Sequence, residues 1–203
     1  MSEYNFTSDW FSNNIHVWDK ILVPLQPKEI LEIGSYEGRS ACYMIENFTE
    51  KQVVKIMCVD TWEGSADIDK TEMGGVENRF DSNVGIALKK ATVQPLFEKV
   101  KGNSQEILPI LITRENRFDL IYIDGSHQAP DVLTDAIMAF QLLRVGGLMV
   151  FDDYLLQMEE VGYQNPLNMP KPAIDAFLNI FQRKMVIFRG APIYQLICKK
   201  NSA

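Results

Sequence analysis

Four side chains at the ends of two apolar runs carry the clearest chemistry in this sequence. Phe118-Asp119-Leu120-Ile121-Tyr122-Ile123 leads into Asp124-Gly125-Ser126-His127, and Leu148-Met149-Val150-Phe151 leads into Asp152-Asp153-Tyr154. Both runs read as buried strands. A helical stretch from about residue 129 to 143, closed by Gly146-Gly147, joins them, so they should be parallel neighbours about 5 Å apart. Asp124, Asp152 and Asp153 would then meet at one end of the sheet with no Lys or Arg in sequence reach. Like charges at that range share protons or bind a cation, and an all-oxygen set suits a hard divalent ion such as Mg²⁺. His127 stands beside them as a candidate proton acceptor. The competing reading is structural: Asp124 caps the turn into the next helix, Asp152-Asp153 opens a solvated loop, and His127 bonds Asp124 or a loop carbonyl. Ser126-His127 is not a hydrolase pair, because adjacent side chains diverge and there is no G-x-S-x-G elbow.

These groups need a scaffold that gathers strand ends, and Glu29-Ile30-Leu31-Glu32-Ile33-Gly34-Ser35-Tyr36-Glu37-Gly38-Arg39-Ser40 supplies its first unit. Apolar residues run up to Gly34, a turn with a second glycine follows, and Ser40 to Ile45 begins a helix. Glycine in such a turn lets backbone and ligand approach closely. The spacing Gly34-x-x-x-Gly38 is not the G-x-G-x-x-G of a dinucleotide binder. Glu32, two places before the first glycine, would repel a pyrophosphate and accept a cationic or hydroxyl-bearing ligand. The run Val53 to Val59 is a second buried strand, ending in Asp60-Thr61-Trp62. Asp60 lies 26 residues after Gly34, in the range where a strand-end carboxylate accepts ribose hydroxyls.

With its E-x-G-x-x-x-G form, the stretch around Gly34 resembles the first motif of class I S-adenosylmethionine-dependent methyltransferases. The resemblance implies a Rossmann-like class I methyltransferase fold: three-layer α/β/α, with a mostly parallel seven-stranded sheet and a C-terminal antiparallel hairpin. It also implies a cofactor set of Glu32, Gly34, Ser35, Tyr36, Gly38, Ser40, Asp60, Thr61, Trp62, Asn103, Ser104 and Asp124, with Trp62 along the adenine and Gly102, Asn103 and Ser104 beside it. The strand-end aspartates are similar to those of metal-dependent small-molecule O-methyltransferases. In the catechol type, an Asp on the fourth strand and an Asp-Asn pair after the fifth hold the metal; here the pair is Asp152-Asp153, which keeps the oxygens and adds a charge. The macrolide-sugar type has an Asp-x-x-His spacing in which the histidine is the general base, and Asp124-Gly125-Ser126-His127 matches it. The implied assignment is Asp124, Asp152 and Asp153 for the metal and His127, with Asp124, for catalysis.

The rest of the chain fits that scaffold. Trp10, Phe11, Ile15, Trp18 and Leu22 have helical spacing over residues 8–22, ended by Pro24 and Pro27. Residues 1–27 thus read as a helix capping the sheet edge, although its two tryptophans could instead roof a ligand site. His16 has no second ligand nearby. Residues 63–83 and 155–169 read as substrate loops. A helix from Asn78 to Ala91, a strand over 97–102 and a helix capped by Ser104 follow the first loop. A helix over 170–181 follows the second. The strands 184–188 and 192–198 are joined by only three residues, which demands an antiparallel hairpin.

Composition limits the function. The 203 residues, 46% hydrophobic, suit one α/β domain over 1–203, with its core in 28–203. A net charge of −7 and no broad basic face argue against nucleic acid. Cys42, Cys58 and Cys198 lack metal or redox spacing and read as reduced core residues. With no membrane span or signal peptide in view, the expectation is a cytoplasmic enzyme. Its task would be to methylate a small hydroxylated molecule, a sugar or a phenol, from S-adenosylmethionine with a divalent cation. A non-catalytic ligand-binding protein or assembly subunit on the same fold is the alternative, and a nicotinamide-dependent oxidoreductase is disfavoured by the glycine spacing. Homo-oligomerisation stays open, and exposure of Trp10, Phe11 or Trp18 would be its sign.

Overall fold

A computed structural model describes residues 3–64 and 73–203. Seven strands form one sheet in the order β3-β2-β1-β4-β5-β7-β6. They are β1 (Glu29–Ile33), β2 (Lys55–Asp60), β3 (Leu96–Lys101), β4 (Phe118–Ile123), β5 (Leu143–Phe151), β6 (Met185–Ile187) and β7 (Leu196–Lys200). The first five are parallel, and β7 inserts antiparallel between β5 and β6. Among the described residues, six α-helices cover the faces: α1 (Ile15–Ile21), α2 (Arg39–Phe48), α3 (Val76–Lys90), α4 (Ser104–Thr113), α5 (Ala129–Leu142) and α6 (Pro170–Ile180). The central strands are apolar on both sides because both sides are covered. Ile30, Leu120, Tyr122 and Val150 join a core with α1, α2 and α3, whereas Leu31, Ile121, Ile123 and Phe151 join one with α4, α5 and α6. This is the three-layer, mostly parallel sheet with antiparallel C-terminal strands that the resemblance implies. Cys42, Cys58 and Cys198 are free and buried.

Several boundaries differ from the sequence reading, each for a local reason. The N-terminal helix is broken into a 3-10 turn at Ser12–Asn14, α1 and a second 3-10 turn at Val23–Leu25. It packs over the middle of the sheet, not its edge: the fully buried Trp18 ring meets Tyr122 of β4 edge-on at 5.0 Å. Trp18 and Phe11 are buried, whereas Trp10 is exposed and borders a cavity. Helix α3 starts at Val76, after Gly75 in a left-handed conformation.

Gly146 and Gly147 do not close α5. The helix passes directly into β5, and the glycines lie within that strand, where its register against β4 shifts between Phe118 and Leu120. A Cβ on Gly147 would lie 2.9 Å from the Asp119 carbonyl oxygen, so the bulge there needs glycine. Asn103, not Ser104, caps α4 by accepting the Gln105 N–H at 2.8 Å.

The C-terminal pair is antiparallel, but its connection spans residues 188–195. Its last part leaves the sheet edge: the Tyr194 carbonyl accepts the Tyr154 N–H, and the Gln195 side chain turns into the core. Lys200 closes the opposite end of the sheet, donating from a buried ammonium to the carbonyls of Phe140 and Leu143 at the α5–β5 junction. The loop expected over 63–83 falls partly outside the described residues. Gly64 and Met73, which flank residues 65–72, line the same cavity as the strand ends.

Candidate active site

The glycine turn is held from beneath and from both sides. Gly34 adopts φ +85°, and a Cβ there would stand 2.0 Å from the Asp124 carbonyl oxygen. Only glycine lets β1 turn so close to the end of β4. Below the turn, the fully buried Glu32 carboxylate accepts the hydroxyls of Ser35 and Ser40, both at 2.5 Å. Burial pushes the Glu32 carboxyl above its ordinary range. Glu32 is therefore a clip for the turn and does not face the cavity. To one side, Asp60 accepts the N–H groups of Ser35 (2.7 Å), Tyr36 (2.9 Å) and Trp62 (2.7 Å). Gly38, at φ +80°, precedes α2, where a Cβ would press on the Phe80 ring at 2.9 Å.

A cavity of about 740 Å³ opens above this turn, within the size range of small-molecule sites. Gly34, Ser35, Tyr36, Asp60, Thr61, Asn103, Ser104 and Asp124 of the expected cofactor set border it. Ser40 and Gly38 support the turn, and Ser40 borders a small adjoining recess. Trp62 departs from the expectation. Its backbone is left-handed (φ +53°), its ring is buried against Phe80 at 4.8 Å, and its indole N–H donates to the Tyr36 carbonyl. It fixes the turn from behind and does not line the cavity. Trp10 takes a lining position the sequence only hinted at: it is 65% exposed and packs on Tyr36 at 5.0 Å.

At the other end of the cavity, Asp124, His127 and Asp153 each bring one ligand atom within 4.8 Å of the others. His127 Nε2 lies 2.9 Å from Asp153 Oδ2. Asp153 is left-handed (φ +54°), which turns its carboxylate toward His127. Asp152, expected in the metal set, is instead set back. Its Oδ1 accepts the Asp153 N–H at 2.8 Å, and its Oδ2 accepts the Tyr122 hydroxyl and, at 2.9 Å, the Gln195 amide. Tyr122 also faces Asp124 Oδ2 at 2.9 Å, so one phenol sits between two carboxyls. Burial, then the charges of Asp152 and Asp153, hold the Asp124 carboxyl well above its ordinary range. Burial, then Asp153, raises that of Asp152.

Three further residues join the site. Tyr122 lies two positions before Asp124, and the two-residue period of a strand was a signal for it. Tyr194, bonded to Asp153, lines the cavity; burial and that carboxylate push its hydroxyl up to about 12. Gln195 reaches Asp152. Neither Tyr194 nor Gln195 had a signal, since both lie in an irregular connection.

A strand–glycine turn–helix unit beside strand-end carboxylates, on a sheet of this order, defines a Rossmann-like methyltransferase fold. The profile of a family described as a methyltransferase domain matches residues 31–154, and the chain belongs to that family. Uncharacterized protein R132 of Acanthamoeba polyphaga mimivirus is 28% identical over 148 residues, 71% of this chain and 60% of that protein. O-methyltransferase hkm8 of Aspergillus hancockii is 29% identical over 128 residues, 63% of this chain and 43% of that one. The chain thus spans less than two thirds of the length of these curated relatives. Among solved structures, the O-methyltransferase TomG from Streptomyces achromogenes, in complex with S-adenosylmethionine, superposes with a TM-score of 0.67 at 16% identity, over 94% of this chain and 81% of that one.

Proposed function

We propose that this protein transfers a methyl group from S-adenosylmethionine to a hydroxyl oxygen of a small molecule, assisted by a divalent cation. One observation carries the reading: the glycine turn and the Asp124–His127–Asp153 group open into the same cavity. The cofactor fits what the chain offers, a close-approach turn that Gly34 alone permits and, next to it, the Asp60 carboxylate at a strand end. A cation fits the pair of carboxylates with an imidazole alongside, a donor set that accepts Mg²⁺ or Mn²⁺. Asp124 and Asp153 are the residues that would hold it.

When bound, the sulfonium would supply an activated methyl and the cation would lower the pKa of the acceptor hydroxyl. The chain's own residues then align and deprotonate. The acceptor O–H proton passes to His127, which Asp153 orients through the 2.9 Å contact. Methyl transfer would form an O–CH₃ bond as the S–CH₃ bond breaks, leaving a neutral thioether. Asp152, bonded by Tyr122 and Gln195, fixes the position of β5's end beneath Asp153. The grouping of His127 with both carboxylates favours a second reading, in which its imidazole is a third cation ligand.

Thioether release from S-adenosylmethionine, assayed with catechol and with sugar acceptors, with and without EDTA, tests the proposal. Release that EDTA abolishes supports it, and release that EDTA leaves intact removes the cation. Binding of S-adenosylmethionine with no release across a broad acceptor panel would favour a ligand-binding protein.

A further inference from the structure

We infer that the acceptor is an uncharged or positively charged hydroxylated molecule, and that phosphorylated or carboxylated acceptors, nucleoside-diphosphate sugars included, are excluded. This deepens the methyl-transfer reading and rests on it.

Among the described residues, Asp60, Asp131 and Asp153 line the cavity together with Asp124 and His127, and no Lys or Arg does. Arg79 binds Glu37 at 2.5 Å, Lys99 binds Glu77 and Asp81 at 2.9 and 2.7 Å, and Lys101 binds Glu77 at 2.6 Å. Arg39, 3.4 Å from Asp9, borders only the small adjoining recess.

Backbone donors give an anion no better anchor. In a phosphate-binding turn, successive N–H groups point at the ligand. Here the N–H of Gly34 donates to Val59, those of Ser35 and Tyr36 to Asp60, and that of Gly38 to Ser35. Helix α4 begins with its Gln105 N–H bonded to Asn103. Helix α5 begins with Ala129-Pro130-Asp131, and Asp131 takes the Ser126 hydroxyl and the Gln105 amide at 2.8 Å. A phosphate entering this cavity would lose its hydration and meet carboxylates. A cation offsetting Asp124 and Asp153 leaves Asp60 and Asp131 in place. The lining also includes Trp10 packed on Tyr36, and Leu156, Met158 and Tyr194. Aromatic faces attract cations and stack on rings, and they repel anions.

The test uses the full chain with S-adenosylhomocysteine, whose binding is measured first. Failure at that step would remove the methyltransferase reading and this inference together. With the thioether bound and Mg²⁺ present, calorimetry then compares catechol, dopamine and 3,4-dihydroxybenzoate. The inference expects the anionic ring to bind at least tenfold more weakly than the other two. Equal or tighter binding of the benzoate would overturn it while leaving methyl transfer intact.

A second measurement decides the question if none of the three binds. Of the chain's three tryptophans only Trp10 is exposed, at the cavity mouth. Its fluorescence should be quenched by caesium several-fold more than by iodide, each relative to free tryptophan amide. The difference should shrink in high salt and should also shrink in Asp131→Asn. Equal quenching by the two ions would overturn the inference.

Discussion

The indole N–H of Trp18 donates to the side-chain carbonyl of Gln195 at 2.7 Å, across 177 residues of sequence. An indole can only donate, so the Gln195 amide has one orientation, with its NH₂ toward Asp152. The N-terminal helix thereby reaches the acidic end of the site through a single buried chain of hydrogen bonds. Trp18→Phe keeps an aromatic ring but removes the N–H and part of the indole, leaving a buried carbonyl unpaired beside a small void. A loss of about 1–3 kcal/mol is expected in urea unfolding. The same variant should weaken Mn²⁺ binding, read by electron paramagnetic resonance, more than S-adenosylhomocysteine binding, read by calorimetry.

Gly34→Ala tests the turn. The added methyl would enter the Asp124 carbonyl, and alanine is strained at φ +85°. Left-handed strain and overpacking together should cost about 2–6 kcal/mol. Thermal unfolding should show it, and cofactor affinity should fall with it. Gly146→Ala, which meets nothing within 4 Å at φ +91°, should show the strain alone and serves as the comparison.

Asp135, bonded to the cavity-lining Ser104, gives a pH prediction. It is buried in α5, its Oδ1 has no partner among the described residues, and burial raises its carboxyl from 3.8 to about 6. A raised carboxyl means that the native state holds a proton which the unfolded chain releases. Stability from this group is therefore fully present below pH 3.8 and is lost as pH rises through about 6. Asp135→Asn should stabilise the protein by up to about 3 kcal/mol at pH 8. That gain should vanish near pH 4 in a pH series of urea unfolding curves.

His127 and Asp153 should separate by assay. His127→Ala is expected to lower turnover by about 10²–10⁴-fold while Mg²⁺ binding persists. Asp153→Asn should weaken both. Loss of Mg²⁺ binding in His127→Ala would instead make the imidazole a cation ligand.

The sheet was legible because β1, β2, β4 and β5 are apolar on both faces and end in Gly34, Asp60, Asp124 and Asp152. Where each end points was not. Trp62 and Asp153 adopt left-handed backbones, which turn one ring into the core and one carboxylate toward His127. Strand alternation stops predicting side-chain direction once the strand ends. Glu32 read as a ligand group because its register relative to the turn was visible and its burial was not. Tyr194 and Gln195 were hidden by an irregular connection whose course is set by tertiary contacts with Tyr154, Asp152 and Trp18.

Calorimetric titration of S-adenosylmethionine into wild type and Asp60→Asn, with and without Mg²⁺, tests the central claim most directly. The account predicts micromolar binding to wild type, about −8 kcal/mol. In the variant, where Asp60 can no longer hold both N–H groups of the turn as a carboxylate, it predicts at least tenfold weaker binding. Absence of binding to folded wild type in either condition would contradict it.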